Sequence, residues 1–236
     1  MRVALFVTCV NDAMFPATGI ATTRLLERLG VEVDFPAGQT CCGQPQFNTG
    51  YRRETRPLVE RTARVFEEYE YVVTPSGSCA AMVRDHYPQF GETGLPSRTY
   101  ELTEFLVDVL GVTDVGAYFP HTVTYHPSCH GLRMLRLGDR PRRLLEAVKG
   151  LELRELPGAE ECCGFGGTFA VKNPDVSAAM GQDKVSNAVA TRASVLCGAD
   201  NSCLMHIGGI IRRQDEPLRA LHIAEILSAT EEEPHV

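Results

Sequence analysis

No apolar run in this chain approaches the roughly 20 residues that a bilayer-spanning helix needs. A basic excess is missing too: 23 lysines and arginines stand against 30 aspartates and glutamates, a formal net charge of −7. The first absence excludes a membrane-spanning helix. The second excludes a general binder of nucleic acid or anionic membrane, since both need a basic surface. Cys-x-x-Cys is absent as well, because Ser76 and Asp200 stand three before Cys79 and Cys203; this weighs against thioredoxin-type exchange. No P-loop lysine follows a glycine-rich turn, and no Gly-x-Gly-x-x-Gly follows the first apolar segment. Spacing reveals no Ser/His/Asp triad, no carboxylate pair and no flavin or nicotinamide site. The apolar segment from Met1 to Cys9 is too short for a secretory leader and lacks a small-residue cleavage site, so it reads as a first β-strand. The expected compartment is the cytoplasm, where thiols stay reduced.

Against these absences stand nine cysteines, an odd number that fits a disulfide framework poorly. Eight fall into two matching frames. Cys9, Cys41, Cys42 and Cys79 form the first; Cys129, Cys162, Cys163 and Cys203 form the second. The separations are 32 and 37 residues in the first frame and 33 and 40 in the second. Each adjacent pair precedes a glycine, Gly43 or Gly164. Two near-equal frames imply a duplicated unit that gathers four thiols each time.

Cutting the chain near residue 120 aligns the halves. Val3–Thr8 and Val123–His126 read as strands leading into Cys9 and Cys129. Helical spacing follows over 18–29 and 140–148, then strands over 31–35 and 151–156 that end at the Cys-Cys-Gly turns. Longer helices over 53–69 and 174–190 precede third strands at 71–74 and 193–197. Strand–helix alternation predicts parallel βαβ units with right-handed crossovers. The expected domains are 1–120, including a linker helix over 101–110, and 121–230. Residues 218–227 read as a last helix, and 231–236 as an acidic tail. Ligand sites in such folds lie beyond the carboxyl ends of strands, which is where every frame cysteine falls. Two sites are expected, each at the edge of its own small sheet.

Thiolates are soft ligands that select zinc or iron–sulfur clusters, and four suffice for either. Structural zinc sites space their cysteines by two to four residues. Adjacent cysteines point apart, and a cluster several ångströms wide offers them separate iron atoms. Glycine after the pair permits positive φ and close backbone approach. The chemistry favours a cluster and leaves zinc open.

Five stretches make the pattern specific: Thr40–Pro45, Pro75–Cys79, His126–His130, Cys162–Gly167 and Ser202–Ile207. With them the chain resembles the cysteine-rich CCG domains of heterodisulfide reductase and of the glycolate oxidase iron–sulfur subunit, and most closely the lactate utilization protein A family. The resemblance covers about residues 1–228. It implies an α/β fold of two tandem Rossmann-like CCG domains with small parallel sheets, related by a pseudo-two-fold axis. It implies one or two iron–sulfur clusters, of [4Fe–4S] type, held by the eight frame cysteines. It also implies electron transfer in a cytoplasmic L-lactate oxidation complex with companion iron–sulfur and accessory subunits, the chain being one component of an oxidoreductase rather than an enzyme alone. The alternatives are a component of a heterodisulfide-reductase-like thiol/disulfide oxidoreductase, a zinc-bearing assembly module, or a cluster in one half and zinc in the other. The heterodisulfide reductase branch carries a further cysteine where Ser76 and Asp200 stand here, so the chain departs from that branch's five-thiolate cluster.

Other residues need separate weighing. Cys197 aligns with Val73 and reads as a strand-core thiol or an auxiliary ligand. His126, His130 and His206 flank frame cysteines in the second half only; they are structural or they tune a centre. Gly164–Thr168 reads as a turn wrapping the site. Arg133, Arg136, Arg140, Arg142 and Arg143 form a basic run, either a solvated face or a dock for an acidic partner.

Overall fold

A computed structural model describes residues 1–232 and holds two four-stranded parallel sheets. The first half runs β1 (Arg2–Leu5), α1 (Cys9–Met14), α2 (Pro16–Arg28), β2 (Glu32–Asp34), α3 (Gln44–Thr49), α4 (Arg52–Val65), β3 (Val72–Thr74), α5 (Gly77–Ala81), β4 (Thr99–Glu101) and α6 (Leu102–Glu104). The second runs β5 (Thr122–His126), α7 (Arg140–Glu146), β6 (Glu152–Arg154), α8 (Thr168–Lys172), α9 (Pro174–Ala190), β7 (Val195–Gly198), α10 (Asn201–Gln214), β8 (Arg219–His222) and α11 (Ile223–Ser228). Strand orders are β2-β1-β3-β4 and β6-β5-β7-β8, the same order twice. Wide π-helical turns cover Met82–His86, Phe105–Val109 and His130–Met134.

Each half has a fourth strand that sequence reading did not expect. Thr99–Glu101 pairs with β3, and Arg219–His222 pairs with β7. The helix expected over 218–227 therefore begins only at Ile223, where the His222 side chain and Glu225 form a capping box. The linker helix expected over 101–110 is one α turn that widens into the π turn Phe105–Val109. Residues 233–236, most of the expected acidic tail, lie outside the described residues.

Alternation along the strands builds three apolar layers. Val3, Val73, Val123, Val195 and Cys197 face one cluster common to both halves, filled by Leu25, Phe105, Phe119, Leu144 and Ile226. The opposite faces serve each half alone: Ala4, Phe6 and Val72 meet Phe66, Met82 and Tyr87, while Leu196 meets Leu156, Val185 and Ile207. Each fully buried large apolar side chain contributes about 1.5–3 kcal/mol, so the common layer binds the halves into one body. The helix contacts obey the pseudo-two-fold. α2 packs on α11 as α7 packs on α6, and α1 packs on α10 as the π turn His130–Met134 packs on α5.

Candidate metal centre

Helices beginning just beyond β1, β3, β5 and β7 carry the single cysteines of each frame, and the turns beyond β2 and β6 carry the pairs. Cys9 is the first residue of α1, and Cys79 and Cys203 lie in the first turns of α5 and α10. Ser76 and Asp200 cap those two turns, Ser76 Oγ accepting from the Cys79 N–H and Asp200 from the Ser202 N–H. At the pairs the backbone reverses through Gly43 (φ 87°) and Gly164 (φ 89°). A Cβ on Gly164 would come within 2.5 Å of the Ser177 carbonyl oxygen.

The two frames open on one space: all eight frame cysteines line a single cavity of about 370 Å3 between the halves. Within each frame the sulfurs form a chain of contacts. Cys42 and Cys79 lie 3.2 Å apart, sulfur to sulfur, and the Gly43 and Gly164 N–H groups reach Cys41 and Cys162 at 3.4 Å. Thiol hydrogen bonds from Cys42 and Cys9 hold Cys41 down to about 3, and those from Cys129 and Cys163 hold Cys162 down to about 2. The same bonds, with burial, push Cys9, Cys42, Cys129 and Cys163 up. In each frame the neighbouring thiols thus favour ionisation of one member of the pair, the form that binds a soft metal.

Contacts between the halves pass beside the thiols. The buried Asp200 carboxylate accepts from the Ser78 N–H at 2.8 Å, so a cap of the second half also fixes the turn carrying Cys79. Asn201 donates to Asn11 Oδ1 at 2.9 Å and to Thr18 Oγ1 at 2.8 Å. At the pseudo-equivalent contact, Gly77 faces Gly131 closely enough that a Cβ on Gly77 would sit 3.7 Å from the Gly131 nitrogen. Gln44, in α3, donates to the Ser78 carbonyl and lies 3.0 Å from His130 Nε2. Sequence reading did not single out Asn11, Asn201 or Gln44; the signal for the asparagines was their placement two residues from a frame cysteine.

The remaining candidates separate. Cys197 is buried in the common core and is not among the cavity residues, as expected for a strand-core thiol. His130 lines the cavity. His206 instead points Nε2 at the Ser177 carbonyl, 3.2 Å away. His126 is buried, and its ring nitrogen falls within 4.8 Å of the Cys163 and Cys203 sulfurs, which lie as close to one another. Burial pushes His126 down to about 4. Phe165, Gly166, Gly167 and Thr168 line the cavity as a turn, with positive φ at both glycines. Much of the arginine run is occupied locally, Arg140 by Asp108 and Arg142 by Glu146 and Glu155.

The cysteine-rich CCG domain family matches residues 3–84 and 123–208, one match over each frame. A protein of Oceanobacillus iheyensis called Lactate utilization protein A is 48% identical over 241 residues, covering 98% of both chains. One of the same name from Geobacillus kaustophilus is 51% identical over 238 residues, covering 97% of this chain and 99% of its own. This chain belongs to the lactate utilization protein A family. Membership accounts for the doubled frame, because both CCG matches fall within one chain. Among the described residues of this family member, no helix is long and apolar enough to cross a membrane.

Proposed function

We propose that this chain is the iron–sulfur subunit of a cytoplasmic complex that oxidises L-lactate to pyruvate, and that it carries electrons to or from companion iron–sulfur and accessory subunits. The observation that carries this reading is the gathering of two four-thiol frames on one cavity, in a chain whose relatives are called lactate utilization proteins. The assigned ligands are Cys9, Cys41, Cys42 and Cys79 for one centre and Cys129, Cys162, Cys163 and Cys203 for the other.

The donor set fits an iron–sulfur centre. Tetrahedral zinc with Zn–S bonds of about 2.3 Å brings all four sulfurs within about 4 Å of one another. Among the described residues, no three thiols of the first frame gather within 4.8 Å; the one such group of metal-binding side chains is His126, Cys163 and Cys203. Four thiols per frame, all on the cavity, match the four-thiolate complement of an iron–sulfur cluster. Such a cluster supplies one-electron redox chemistry when bound. The frame cysteines would hold it, with Cys42 and Cys163 buried on the protein side, and Asp200 ties the turn that carries Cys79 to the second half.

A second reading, zinc in the second half beside a cluster in the first, is favoured by the compact group His126, Cys163 and Cys203. Iron, acid-labile sulfide and zinc measured per chain after oxygen-free purification decide between them. About four iron and four sulfide per frame are expected for [4Fe–4S] centres. Zinc without sulfide in both frames removes the electron-transfer reading.

A further inference from the structure

Two buried side chains distinguish the second half from the first behind its thiols. His126 stands three residues before Cys129, and the position three before Cys9 is Phe6. Lys184 stands seven residues after Ser177, and the position seven after Thr55 is Thr62; Thr55 and Ser177 are the residues that meet Gly43 and Gly164. Phe6 does ordinary core work, packing on Phe66 at 5.1 Å between ring centroids. His126 does not. It is 1% exposed, and neither ring nitrogen has a hydrogen-bond partner among the described residues. Leaving a buried polar group unsatisfied costs about 1–3 kcal/mol. A position that tolerates phenylalanine in the other half has no packing reason to hold an imidazole. His126 lies outside the cavity lining, with the Cys163 and Cys203 sulfurs within 4.8 Å of its ring nitrogen and Lys184, Cys162 and Asp200 close enough to bear on its charge.

We infer that a ring nitrogen of His126 is a ligand of the second centre, beside the Cys163 and Cys203 thiolates, so that the two centres of this chain differ in kind. The inference rests on the metal-centre reading above. Imidazole is a borderline ligand that suits iron and zinc alike, and the ring nitrogen and both sulfurs all lie within 4.8 Å of one another. The buried ammonium of Lys184, hydrogen-bonded to the Gly158 carbonyl, adds positive charge on the same side. That charge favours the reduced, more negative state of the second centre, and the first half has Thr62 at the matching position.

The test needs no substitution to begin with. The full chain is prepared without oxygen with ordinary or 15N-labelled histidine, reduced, and examined by pulsed EPR. A directly bonded histidine nitrogen whose coupling changes with the isotope is expected. The same signal should persist in Cys42→Ser, which disturbs only the first frame, and vanish in His126→Phe, the residue the first half already accommodates. The EPR signal of the first centre should be unchanged in His126→Phe. If zinc fills the second frame, X-ray absorption at the zinc edge replaces EPR, and imidazole scattering from beyond the directly bonded atoms is expected. Sulfur-only coordination of a loaded second centre, or a histidine signal that survives His126→Phe, overturns the inference and leaves the metal-centre reading intact. Absence of metal from both frames removes that reading itself.

Discussion

Position for position, the first half sets Phe6 and Thr62 behind its thiols, and the second half sets His126 and Lys184 there. The strands around them, their order and their register are otherwise repeated. A scaffold duplicated whole can thus keep two thiol frames equivalent at the cavity surface and make them unequal from behind, by changing side chains that touch no solvent. The same division recurs at the last strands. β4 ends in Glu101 and β8 in His222; both are fully buried, and both cap the helix that follows. One cap is an acid and the other a base.

The largest effects come from the frames themselves. Cys42→Ser and Cys163→Ser should each cost the metal of one frame, about half the total, and the double variant should lose all of it. Metal analysis and EPR of the three variants check this. If either single variant empties both frames, the shared cavity holds one joint centre, and the division into halves fails.

Next in size are the two turn glycines. Both have positive φ, a conformation that costs an L-residue about 1–2 kcal/mol. At Gly43 an added methyl meets Thr55 Cγ2 at 3.3 Å, a side chain able to give way. At Gly164 it meets the Ser177 carbonyl at 2.5 Å and Met180 at 2.9 Å, which adds an overpacking cost of about 1–3 kcal/mol. Urea unfolding should therefore rank Gly164→Ala as clearly the more damaging. Equal losses would mean that the two turns are interchangeable.

The capping pair gives opposite pH slopes. Burial holds Glu101 up at about 7 against an ordinary 4.5. Below pH 4.5 its carboxyl is protonated whether the chain is folded or not, and as pH rises toward 7 the unfolded chain ionises first. Glu101 therefore withdraws about 3 kcal/mol of stability over that window. Burial holds His222 down at about 4 against 6.5. It is neutral in both states above 6.5, and a similar amount, about 3 kcal/mol, is lost as pH falls toward 4. Relative to the parent, Glu101→Gln should gain stability progressively from pH 5 to 7, and His222→Asn should gain progressively from pH 6.5 to 5. Offsets that do not vary with pH would show that neither cap titrates. The smallest effect is expected at Gly77→Ala, where the new methyl finds only ordinary contacts at 3.7 Å; a change within about 1 kcal/mol should appear in the same unfolding assay.

Much of this architecture was legible in the sequence. Six strands and the long helices declared themselves by apolar period, and α9 runs over Pro174–Ala190 as its spacing predicts. The edge strands β4 and β8 did not, because three or four residues such as Thr99–Glu101 are too few to show alternation. Leu218, Leu221, Ala224 and Leu227 recur every three residues, near the helical period, even though β8 and the His222 cap interrupt them. The eight thiols were legible from their frames, but the single cavity was not. It depends on α1 meeting α10 and α5 meeting the π turn at His130, packing that no local period encodes. The Ser76 and Asp200 positions drew notice as missing cysteines; what spacing could not convey is that Asp200 reaches across to the Ser78 N–H. The His126–Phe6 exchange was visible once the halves were aligned, but its meaning needed the orphaned nitrogens.

The asparagine pair and the glycine pair have a consequence for descent. Had either half once assembled as a twin of itself, each of its two junctions would have set an asparagine against a glycine: Asn11 on Gly77, or Gly131 on Asn201. In the fused chain large meets large at Asn11–Asn201 and small meets small at Gly77–Gly131. The two copies have traded bulk across the seam, so neither is any longer a spare part for the other. A chain built from two first halves or two second halves would mismatch at both junctions, beside the very thiols it needs to align.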